Sequence, residues 1–138
     1  MKFSANQIEL QKSLNYCQGV IEKRSTLPIL SNILLDVSNS RLTITATDLD
    51  LIFIHKIENI DIQEEGKTTT TSSIMYDIIR KLSSGKKISF AMSNNKLQLE
   101  CDKSKFNLNV IDPSEFPITD ADFNENKFTI KSKTLLKL

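Results

Sequence analysis

The chain has 138 residues, 39% of them hydrophobic and 25% charged, with 18 Lys/Arg against 17 Asp/Glu for a net charge of +1. That is one domain's worth of sequence, long enough for a real core and too short for two full domains. No window approaches the ~18 apolar residues of a membrane span, and Met1 to Gln7 lacks the apolar segment of a signal peptide, so a cytoplasmic protein is expected.

In chain order, Lys2-Phe3-Ser4 reads as a short strand. Asn6 followed by Glu9 has the spacing of a capping box and opens a helix, with Leu10, Leu14 and Cys17 on one stripe and Gly19 as its stop. The longest apolar run, Thr26 to Leu35, predicts a buried central strand with Pro28 at its entry, a bulge or an edge. Arg41 to Thr47 alternates and forms a hairpin with that strand across Ser38-Asn39-Ser40, and Leu51 to Ile57 is a further strand. Asp61 to Gly66 reads as an acidic turn, and Thr68 to Thr71 as an extended edge. A second helix opens at Ser72 or Ser73, with Ile74, Ile78 and Leu82 flanked by Met75 and Ile79 on its apolar face, and ends at Gly85. Three alternating segments follow, Ile88 to Met92, Leu97 to Cys101 and Phe106 to Val110. The order is β-α-β-β-β twice, which predicts an α+β domain of two similar halves with both helices on one face of antiparallel strands.

The near-zero net charge is unevenly spread. Residues 72–105 hold seven Lys/Arg against three acids, whereas 48–65 hold one Lys against six acids and 112–126 hold five acids and no base. This is the pattern of a basic face opposite an acidic one, suited to a polyanion on one side, or else of ordinary solvated loops.

Little here points to catalysis. Asp48 and Asp50 are two apart and could chelate a divalent ion, but nothing joins them. His55 has no cysteine or carboxylate at ligand spacing, and Gly19, Gly66 and Gly85 are too scattered for a phosphate loop. Cys17 and Cys101 lie in separate apolar patterns without CxxC spacing, which predicts buried reduced thiols. A non-catalytic protein without metal or cofactor is expected.

The C-terminus repeats the start. Lys127-Phe128-Thr129 followed by Leu135 mirrors Lys2-Phe3-Ser4 followed by Leu10. Residues 1–122 are therefore expected to form a first domain, 123–127 a linker, and 128–138 the opening of a second copy.

Met1-Lys2-Phe3, Thr26-Leu27-Pro28-Ile29-Leu30, Thr45-Ala46-Thr47-Asp48-Leu49 and Phe116-Pro117, in this order and spacing, resemble the first domain of the bacterial sliding clamp, the DNA polymerase III beta subunit. The resemblance implies a DNA-clamp domain, three of which make a chain and two chains of which close head to tail around duplex DNA as a processivity factor. It implies DNA contact by Arg24 in the loop after the first helix, through phosphates and without base readout, and longer-range attraction from Lys12, Arg80 and Lys81 on the helices. Ser73 departs from the family, where a basic residue is common. Phe106 and Leu108 match the apolar seam between subunits, with Lys96, Lys103 and Lys105 as basic neighbours. Polymerase and clamp loader would bind later domains. The alternative is a non-catalytic protein-interaction domain that does not bind DNA.

Overall fold

The computed structural model describes residues 1–22, 26–117 and 128–138. Strand β1 (Lys2–Asn6) runs into helix α1 (Gln7–Gln18), and the Asn6 side chain caps the helix by accepting from the Ile8 N–H at 2.9 Å. Leu10, Leu14 and Cys17 are fully buried, as their spacing predicts. Gly19 does not stop the helix in a left-handed conformation, for its φ is −75°; the last turn tightens instead, with the Val20 N–H donating to the Cys17 carbonyl at 3.0 Å.

The long apolar run is not one strand. Pro28–Ser31 form a 3-10 turn, in which the Leu30 N–H donates to the Leu27 carbonyl, and β2 begins only at Asn32 (Asn32–Ser38). Proline suits the first position of such a turn because its missing N–H has no partner to lose there. Strands β3 (Arg41–Thr47) and β4 (Ile52–Ile57) follow as expected.

Two segments are more regular than their composition suggests. The acidic stretch contains strand β5 (Asp61–Glu64), antiparallel to β1, with Ile62 as its one inward aliphatic side chain. The threonine run is no edge: β6 (Gly66–Thr71) lies inside the sheet between two other strands, and Thr68, Thr69 and Thr70 are buried. Burial is tolerated because the hydroxyls are used, Thr69 Oγ1 donating to the Ile111 carbonyl at 2.7 Å and Thr70 Oγ1 to that of Asn109 at 3.0 Å.

Helix α2 (Ser72–Lys81) starts one residue earlier than expected, after Thr71, which makes no side-chain cap. It ends at Leu82, before Gly85, which takes φ +75° in the following turn. Met75 and Ile79, with Ser72 in the first turn, are its fully buried residues, whereas Ile74 is 51% exposed. Strands β7 (Lys87–Ser93), β8 (Lys96–Cys101) and β9 (Ser104–Ile111) complete the domain. A single helical turn, α3 (Ser132–Leu135), lies near the C-terminus. The strand expected at 127–129 makes no ladder at its described residues, and the expected linker at 123–127 lies outside the described ones.

The sheet order is β4-β3-β2-β6-β9-β8-β7-β1-β5, and all pairs are antiparallel. The two halves, β1-α1-β2-β3-β4 and β6-α2-β7-β8-β9, exchange their first strands: β1 pairs with β7, and β6 with β2. Strand β5 is an addition to the first half, and it occupies the outer edge of β1. Both helices bury their apolar stripes in one core shared by both halves. They lie side by side and antiparallel, since Gln7 Nε2 reaches the Ile79 carbonyl at 2.9 Å while Gln18 Nε2 reaches Ser72 Oγ at 2.9 Å.

Candidate nucleic-acid and subunit interfaces

The outward face of the helix pair carries Lys12, Arg80 and Lys81, all exposed, but the fold does not gather them. Lys12 sits at the seam between the helices, on a groove of about 440 Å³ that Ile8, Gln11, Asn15, Tyr76 and Ser84 also line. Arg80 is spoken for: its guanidinium pairs with Asp77 at 3.2 Å and lies 5.7 Å from the Tyr76 ring centre. Lys81 is on the far flank of α2, beside Phe106. Arg24 lies outside the described residues. Ser73 is half-buried in the first turn of α2 and brings no charge.

Several cations of the basic segment are ion-paired, mostly with acids of that same segment. Of the cations in 72–105, Arg80, Lys86 and Lys105 engage Asp77, Asp102 and Glu100, and Lys87 engages Asp61 of the acidic segment. The Lys105 ammonium, 2.8 Å from Glu100, holds that carboxyl below its usual range by hydrogen bonding and then by charge. Lys81, Lys96 and Lys103 make no ion pair with a described residue; Lys96 donates instead to Asn109 Oδ1.

The second surface is the edge of β9. Strand β6 pairs with β9 only at Val110 and Ile111, so among the described residues no strand covers the side of Ser104–Leu108 that faces away from β8. Beside this open edge, α2 and β9 enclose a recess of about 370 Å³ lined by Ile74, Asp77, Ile78, Lys81, Leu82, Ser104 and Phe106. A smaller one is lined by Thr70, Thr71, Ile74, Asn107, Leu108 and Asn109.

The two residues expected at the apolar seam part company here. Phe106 is half-buried and borders the recess, whereas Leu108 is only 7% exposed and opposes Leu97 within the core. The residue that sequence reasoning placed inside, Ile74, is the exposed one. Its position in the first turn of α2 was the available signal, because a helix meets the sheet along Met75 and Ile79 and turns the preceding residue outward.

The other candidates resolve into structural roles. Asp48 Oδ1 accepts from the N–H groups of Asp50 and Leu51 at 3.0 and 2.7 Å, which makes it the anchor of the β3–β4 turn. His55 Nδ1 is 2.5 Å from Ser13 Oγ, and its ring forms a cluster with those of Tyr16 and Phe53, which also touch each other. Among the described residues no group of three His, Cys, Asp or Glu is placed to hold a metal. Cys17 is fully buried and its thiol is pushed up to about 12 by burial; Cys101 is raised for the same reason. No helix among the described residues is long and apolar enough to cross a membrane.

A family model described as "DNA polymerase III beta subunit, N-terminal domain" matches residues 1–120. The beta sliding clamp of Caulobacter vibrioides is 35% identical over 141 residues, covering 100% of this chain and 37% of the relative. That of Escherichia coli is 31% identical over 138 residues, covering 100% of this chain and 38% of the relative. The crystal structure of the DNA polymerase III subunit beta from Pseudomonas aeruginosa superposes with a TM-score of 0.92 at 30% identity, over 98% of this chain and 37% of that one. The chain thus spans a little over a third of the length of these relatives.

Proposed function

Because this chain belongs to the DNA polymerase III beta-subunit family, we propose that residues 1–122 are the first domain of a ring-shaped processivity factor that encircles duplex DNA and tethers the replicative polymerase. In this reading 123–127 is a linker and 128–138 opens a second clamp domain. The polymerase and clamp loader bind domains further along, and the protein works in the cytoplasm without catalysing a reaction or holding a cofactor.

The observation that carries the reading is the open edge of β9 beside the recess of Ile74, Ile78 and Phe106. A free strand edge next to an apolar recess completes itself against another domain's edge, and where that edge belongs to a different domain of the second chain the two chains join head to tail. Lys81 and Lys103, without an ion pair to a described residue, are available to a carboxylate-bearing neighbour, with Lys96 and Lys105 exchanging their present partners. The helix pair then faces the enclosed space, where Lys12 is a cation without an ion pair to a described residue. A ring holds DNA by closure, so weak phosphate contacts suffice and permit sliding.

The test uses the full-length protein loaded on nicked circular DNA. Retention should survive Arg24→Ala in reduced degree, with unchanged melting temperature, and should vanish when the circle is cut. Equal retention on cut and uncut DNA would reject encirclement, and unchanged retention of Arg24→Ala would remove that residue from the contact.

A further inference from the structure

No further inference is drawn: the strongest candidate, the polar depression of about 370 Å³ on the face of β1, β7 and β8 turned away from the core, with Lys2, Gln63, Ser89, Ala91, Gln98 and Glu100 among its lining residues, rests on a stripe of small residues beside a carboxylate already bonded to Lys105, and nothing in the structure shows what covers it.

Discussion

Ile74 and Leu108 make a paired test in which the two substitutions are expected to do opposite things. Full burial of an isoleucine side chain stabilises by about 1.5–3 kcal/mol. Ile74 is 51% exposed in this domain, so about 1 kcal/mol remains to be gained when a neighbouring domain covers the recess. A closed ring of two chains has two such seams, so Ile74→Ala should cost about 2 kcal/mol of assembly, or roughly 30-fold in the dimer Kd. The domain itself should lose only about 1 kcal/mol, from the half of the side chain already buried, partly offset because alanine favours the helix by a few tenths of a kcal/mol. Leu108 is the converse. It is 7% exposed and packed against Leu97, so Leu108→Ala should destabilise the domain by about 2–5 kcal/mol and lower its Tm by roughly 10 °C or more. Sedimentation equilibrium of the full-length protein and thermal melts of both variants read the two effects. The reasoning is refuted if Ile74→Ala leaves the Kd unchanged while lowering the Tm as far as Leu108→Ala does.

Leu49 holds φ +83° in the β3–β4 turn, its N–H donating to Thr47 Oγ1 at 3.0 Å, a left-handed conformation that costs an L-residue about 1–2 kcal/mol. Urea midpoints should therefore fall in the order Leu49→Gly, wild type, Leu49→Val; the glycine gain is net about 0.5 kcal/mol after its larger unfolded-state entropy, and a valine variant as stable as wild type would count against the strain. Cys17 gives an alkaline signature. Its thiol stays protonated in the folded state to about 12 while the unfolded thiol ionises near 9, so its contribution is intact below pH 9 and is lost as pH rises toward 12. Between pH 8 and 10.5 the wild type should lose about 2 kcal/mol more than Cys17→Ala in urea unfolding, and parallel losses in the two proteins would refute the assignment.

Elements with a strong period were legible. Leu10, Leu14 and Cys17 predict the buried stripe of α1 because helical spacing and tertiary contact select the same residues. The threonine run was not, because hydroxyls buried by bonding to β9 carbonyls look the same in sequence as hydroxyls facing water. The acidic stretch hid a strand for a related reason: Ile62 alone carries the inward face of β5, too little for a period to emerge. At the candidate site, the identity of Lys12, Arg80 and Lys81 was readable but their charge state toward a ligand was not. Whether an arginine is free or tied to Asp77 depends on a side-chain pairing within one helix turn, and whether Lys81 faces a groove or an edge depends on where β9 lies.

The exchange of first strands has a mechanical meaning. Lys2 pairs with Ala91, and Asn32 with Thr71, so neither half has a complete sheet until the other is in place. The halves cannot part without stripping two full ladders at once, and the domain must respond to load as a single stiff block. These are also pairings between distant parts of the chain, which form late and slowly. A block of this kind transmits an applied force and does not bend. A force on the domain is passed on to its boundaries, among them the edge of β9 at Ser104–Leu108, which among the described residues is bonded on one side only.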